Sequence, residues 1–172
     1  MIENPNITFI LGGARSGKSH FAEKFTASLG LEKVYIATSQ IFDEEMRTRV
    51  AKHQHDRGAG WHTVEEPLAL AETLLRESKS DNAILVDCLT LWLTNLMLAD
   101  KDIEALGDEL AAVLLQLSGP VILVSNEVGQ GIVPDNAMAR AFRDHAGRLH
   151  QKIAEISGEV YFVTAGLPQK LK

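Results

Sequence analysis

The chain has 172 residues, 45% apolar and 23% charged, a size and mixture suited to one domain around a full hydrophobic core. Its formal charge of −6 argues against the basic excess typical of nucleic-acid binders, and no apolar run is long enough to span a bilayer. The single cysteine, Cys88, cannot close an internal disulfide, which fits a reducing cytoplasm.

The polar start Met1–Asn6, ahead of a short apolar run, does not read as a signal peptide. Five runs rich in Val, Ile and Leu predict strands: Ile7–Leu11, Val34–Thr38, Ala83–Asp87, Val121–Ser125 and Val160–Thr164. Most are continuously apolar, as parallel strands covered on both faces must be. Helical patterns alternate with them. Phe21, Phe25 and Leu29 share one face, with Gly30 as the stop. Phe42, Met46, Val50 and His53 share a face of a second helix; nearby Arg47, Arg49, Lys52 and Arg57 read as a solvated helix face, which the charge favours over a local basic patch. Pro67 suits a helix first turn before Leu68, Ala71 and Leu75. Leu89–Leu98 is either core or an oligomer contact. A stripe from Ile103 to Leu117 ends at Gly119-Pro120, and Asp135 is placed to cap a helix carrying Phe142, Ala146, Leu149, Ile153 and Ile156. The alternation predicts a three-layer α/β domain over 1–172, with a mostly parallel sheet and helices on both faces.

The strongest chemical signal is Gly12-Gly13-Ala14-Arg15-Ser16-Gly17-Lys18-Ser19, a G-x-x-x-x-G-K-S phosphate-binding loop between a strand and a helix. Its glycines let backbone N–H groups wrap phosphates at a helix N-terminus. Lys18 is expected to reach the terminal phosphates and Ser19 to offer its hydroxyl to Mg²⁺. Arg15 is equally a phosphate contact or a solvated side chain. Asp87 closes an apolar strand at the edge where ligands bind in open α/β sheets. It is expected to hold Mg²⁺, directly or through water, with a helix cap as the competing role.

The interval Phe42–Glu65 holds His53, His55, Arg57, Trp61, His62 and Glu65. His53 and Arg57 are four apart, so on a continuous helix they share a face. Desolvation and a neighbouring Arg would keep the His53 imidazole neutral and nucleophilic toward phosphorus. From these residues alone, a packing or capping role competes strongly with that one. Trp61 is equally a stacking ring for a base and an ordinary core side chain. Asn126-Glu127 and the loop Gly129–Pro134 follow a strand at the same edge, as a shaped loop or simply a long turn. Cys88 reads as a small buried hydrophobe.

Taken together, these motifs resemble the bifunctional adenosylcobinamide kinase / adenosylcobinamide-phosphate guanylyltransferase family. The matching pieces are the loop 12–19, Tyr35-Ile36-Ala37-Thr38-Ser39-Gln40, and Asp43-Glu44-Glu45-Met46 with Arg49, Val50, His53, Arg57 and Trp61 at their spacings. Further along come Ile84–Thr90, Asn95-Leu96, Ser125–Pro134 and Ala165-Gly166-Leu167-Pro168. The resemblance implies a P-loop NTPase domain of RecA-like fold and a homotrimer. It implies phosphorylation of adenosylcobinamide by ATP or GTP, then transfer of GMP from GTP through a guanylylated histidine, matched here by His53. Lys18 is the second catalytic residue implied. Nucleotide contacts carry over to Gly12, Gly13, Ala14, Arg15, Ser16, Gly17, Lys18, Ser19, Ala37, Thr38, Ser39, Gln54, His55, Asp56, Arg57, Glu65 and Asp87. Two positions depart from the pattern: Asp87 stands where some relatives carry Glu, and Gln54 where many carry a basic residue. The alternatives are a P-loop small-molecule kinase without covalent chemistry, and a RecA-type nucleotide-dependent binding module.

Overall fold

The computed structural model describes residues 4–40, 44, 47, 48, 51, 55 and 57–172. In chain order the elements are β1 (Asn4–Gly12), α1 (Lys18–Ser28), β2 (Glu32–Ala37), β3 (Trp61–Glu65), α2 (Leu70–Glu77), β4 (Asn82–Asp87), α3 (Leu89–Leu98), α4 (Ile103–Leu114), β5 (Val121–Asn126), α5 (Ala137–Ile156), β6 (Ser157–Thr164) and β7 (Leu167–Lys170). The strands form one seven-stranded sheet in the order β3-β2-β4-β5-β1-β6-β7. Every pairing is parallel except β6 with β7.

The central strands are apolar along their whole length because both faces are covered. Ile84 and Val86 of β4, with Leu123 of β5, point into one core shared with Leu70 and Leu74 of α2, Trp92 and Leu96 of α3, Leu110 and Leu114 of α4, and Leu149 and Ile153 of α5. Leu85, Ile122 and Val124 point the other way, against Ala22 of α1, with Phe21, Phe25, Trp61 and Tyr161 at the margin.

Several sequence expectations shift by a turn. Pro67 lies outside α2; the Glu66 carboxylate accepts from Leu68 N and Ala69 N just ahead of the helix. Leu75 is half exposed, and the buried face is Leu70, Ala71, Thr73 and Leu74. Asn136, not Asp135, caps α5, accepting from Ala139 N at 2.8 Å. The stripe assigned to Phe42, Met46, Val50 and His53 lies outside the described residues.

Candidate active site

Because β1 to β5 run parallel, their carboxyl ends open at one edge. Register places Gly12 beside Asn126, Ala37 beside both Glu65 and Asp87, and Asp87 beside Val124. The expected loop, Ala37–Ser39, Glu65 and Asp87 therefore meet along one rim, with β5 standing between the strands that carry Gly12 and Asp87.

The loop explains its own glycines. A Cβ on Gly12 would sit 2.5 Å from Ser16 Oγ and 2.7 Å from the Val163 carbonyl oxygen. Gly17, at φ +91°, is the N-cap of α1 in the left-handed region that side chains disfavour. The turn is tied by Ser16 N donating to Gly13 O at 3.3 Å. It is buttressed from the far end of the chain by Gly166 N donating to Ser16 O at 2.7 Å. The Lys18 side chain is buried and its ammonium donates to Gly13 O at 3.1 Å, inside the loop. Ser16 Oγ is buried without a hydrogen-bond partner. An orphaned hydroxyl, a buried ammonium and a helix N-terminus make a cradle suited to a phosphate. Ser19 is half-buried on the first turn of α1; Ala14 and Arg15 are exposed, Arg15 at φ +56°.

Asp87 is half-buried at the strand end. The residue that caps α3 is Cys88, with no side-chain capping bond, so the capping role weighed for Asp87 is not the one it plays. Among the described residues no group of three or more His, Cys, Asp or Glu clusters as a metal cage. A Mg²⁺ here would take Ser19 and Asp87 from the protein and its remaining oxygens from phosphate and water.

Thr38 is fully buried, and its polar groups are engaged inside the protein. Its Oγ1 donates to Cys88 O at 2.7 Å and accepts from Cys88 N at 3.0 Å, its N donates to Asp87 O at 3.4 Å, and its carbonyl accepts from Asn95 Nδ2 at 2.7 Å. Thr38 thus fastens the end of β2 to the β4–α3 junction, where the peptide Asp87–Cys88 is cis. Asn95 also donates to Pro67 O, and Thr90 Oγ1 accepts from Asn126 N at 2.9 Å. Nothing in the sequence of Thr38, Thr90 or Asn95 singles them out as clamps, since that role exists only once the strand ends meet. The Cys88 thiol is pushed up to about 11 by burial and by the Asp87 charge, leaving it a poor nucleophile.

Of the histidine segment, His53, Gln54 and Asp56 lie outside the described residues, and His55 is exposed. Arg57 lies with its guanidinium carbon 3.3 Å from the Tyr35 ring centre, while Trp61 stands edge-on to Tyr35 at 6.0 Å. Arg57 Nε and Nη1 are buried with no hydrogen-bond partner, donors left available to an acceptor. Trp61 is half-buried and packs edge-on against Tyr35. Glu65 is exposed at the end of β3. The Glu127 carboxylate accepts from Gly129 N and Gln130 N, organising its own loop, and its amide donates to Gly12 O at 3.0 Å.

The family profile described as cobinamide kinase / cobinamide phosphate guanyltransferase matches residues 8–171. The chain belongs to this family. It is 54% identical over 166 residues to the bifunctional adenosylcobalamin biosynthesis protein CobP of Pseudomonas aeruginosa, covering 95% of each chain. It is 41% identical to the bifunctional adenosylcobalamin biosynthesis protein CobU of Salmonella typhimurium, covering 95% of this chain and 98% of that one. Solved structures share the fold at low identity. The flagellar accessory protein FlaH of Methanocaldococcus jannaschii has a TM-score of 0.58 at 13% identity, over 99% of this chain and 80% of that one. The RadB recombinase has a TM-score of 0.53 at 15% identity, over 92% and 74%. The fold of this cobinamide kinase / guanyltransferase family member is therefore that of RecA-like P-loop ATPases, as its motifs implied. Among the described residues no helix is long and apolar enough to cross a membrane.

Proposed function

We propose that this enzyme phosphorylates the aminopropanol hydroxyl of adenosylcobinamide with ATP or GTP and then passes GMP from GTP, through His53, to the phosphate just made. The products of the second reaction are adenosylcobinamide-GDP and pyrophosphate. The observation that carries the reading is the phosphate cradle itself, with the buried Lys18 ammonium and the unpartnered Ser16 hydroxyl, on the same rim as Asp87.

In the first reaction the substrate hydroxyl oxygen attacks the γ-phosphorus, and the bond to the β–γ bridging oxygen breaks. Lys18 and the loop amides stabilise charge on the departing diphosphate. Mg²⁺, held by Ser19 and the Asp87 carboxylate directly or through water, would add positive charge against the triphosphate. In the second, a neutral His53 nitrogen attacks the α-phosphorus of GTP and pyrophosphate leaves. The cobinamide phosphate oxygen then attacks that phosphorus, and the N–P bond breaks to regenerate the imidazole. Arg15, Gln54, His55, Asp56 and Glu65 complete the nucleotide contacts in this reading, and Thr38 fixes Ala37 and Ser39 beside them. A homotrimer in the cytoplasm is part of the same reading, and light scattering of the purified protein tests the trimer.

The deciding experiment incubates the protein with Mg²⁺ and GTP labelled at either the α- or the γ-phosphate, then denatures it. Acid-labile label from the α-position alone, and a GMP mass increment on His53, are expected. No retained α-label, or a GMP mapped to His55, would overturn the assignment. His53→Ala is expected to lose GMP transfer and to keep most of the kinase activity.

A further inference from the structure

Tyr35 is a buried side chain that faces both Asp87 and Arg57. The β2–β4 register pairs Tyr35 with Leu85 and Ala37 with Asp87. Tyr35 and Asp87 thus lie diagonally on one sheet face, a separation that a tyrosine spans. Its ring is buried, lies under the Arg57 guanidinium at 3.3 Å and is met edge-on by Trp61 at 86°. With Arg57 Nε and Nη1 free of hydrogen-bond partners, the ring face is what seats that guanidinium, in the stacked geometry Arg favours on an aromatic plane.

We propose that Tyr35 is a positioning residue for both reactions: its hydroxyl orients the Asp87 carboxylate, and its ring seats the Arg57 guanidinium. The proposal rests on the function proposed above. Of the two groups the phenol O–H is the donor and the Asp87 carboxylate the acceptor. Tyr35 acts through these two neighbours and not on substrate.

Two substitutions separate the halves. Tyr35→Phe keeps the ring and removes the hydroxyl. Tyr35→Leu removes both. The readouts are the affinity for a fluorescent, non-hydrolysable GTP analogue as Mg²⁺ is titrated, and the rate of covalent GMP labelling of the protein at saturating Mg²⁺. Tyr35→Phe is expected to need about tenfold more Mg²⁺, the scale of one lost bond to a charged acceptor, with Mg²⁺-free binding and saturated labelling unchanged. Tyr35→Leu is expected to show the same Mg²⁺ shift and, in addition, labelling slowed by at least about tenfold. Circular dichroism establishes that each variant is folded. Should Tyr35→Leu fail to fold, Arg57→Lys, which keeps the charge and loses the plane, replaces it and is expected to label as slowly. A Mg²⁺ midpoint for Tyr35→Phe equal to that of the wild type overturns the first half. Labelling by the ring-removing or Lys variant as fast as by Tyr35→Phe overturns the second. If the wild type itself takes up no GMP, the histidine mechanism has failed, and the Mg²⁺ titration still judges Tyr35.

Discussion

Lys18 is an unusual residue to find buried. An ammonium withdrawn from water is costly unless it is compensated, and here it donates to one carbonyl, Gly13 O. Such a group gains by meeting a triphosphate, and both proposed reactions use the same cradle. Lys18→Ala should therefore lower kcat/KM for phosphorylation and for GMP transfer together, by about 100-fold or more. Loss of only one activity would mean that the two reactions hold the nucleotide differently. Thr38 makes the opposite case, a residue in the binding rim whose effect is structural. In Thr38→Val the Cys88 carbonyl keeps Trp92 N as a donor, at 3.2 Å, but the Cys88 amide loses its acceptor. Unfolding in urea should show a loss of about 1–3 kcal/mol, and Thr38→Ser, which keeps the hydroxyl, should recover most of it.

At the scale of elements, the strand–loop–helix unit β1–α1 is fixed by contacts that tolerate no added atom. Gly12→Ala places a methyl group against both Ser16 Oγ and the Val163 backbone. The side chain can rotate, but the carbonyl of a paired strand cannot easily retreat. The expected result is a loss of about 1–3 kcal/mol in thermal or urea unfolding, together with weakened nucleotide binding measured by calorimetry.

The same packing explains which elements can be read from the sequence. β1, β2, β4, β5 and β6 are apolar because they are covered, and their composition announces them. The edge strand β3, Trp61–Glu65, alternates with polar residues and is only half-buried; β7, Leu167–Lys170, is exposed throughout and contains Pro168. Neither has a composition that marks a strand; each exists because a covered neighbour offers it a ladder. The phosphate loop was legible down to the residue, since G-x-x-x-x-G-K-S encodes backbone geometry directly. The Tyr35–Arg57 stack and the Thr38 clamp were not, because they depend on register between strands distant in the chain.

Across the molecule, a half-buried histidine links pH to stability. His150 on α5 lies 2.7 Å from Ser125 Oγ and against the Phe9 ring. Burial lowers its pKa from 6.5 to about 4, partly opposed by Glu127. In the unfolded chain this histidine takes up its proton near pH 6.5, while the folded protein resists until near pH 4. Its contribution is therefore complete above about pH 6.5 and lost progressively as pH falls toward 4, by ~2 kcal/mol at pH 5. Urea unfolding at pH 7.5 and pH 5 measures the difference. His150→Gln should reduce that drop, and an unchanged drop would place the pH sensitivity elsewhere.

The hydrogen bond from Gly166 to Ser16, with the Val163 carbonyl behind Gly12, joins the phosphate loop to the β6–β7 hairpin. A ribosome making this protein releases the Walker-type turn early but supplies its backing only when the final hairpin emerges. The nascent polypeptide is thus expected to hold no nucleotide before Gly166 has emerged. A chain ending at Thr164 should likewise fail to retain GTP in equilibrium dialysis, although nothing it lacks need touch the ligand.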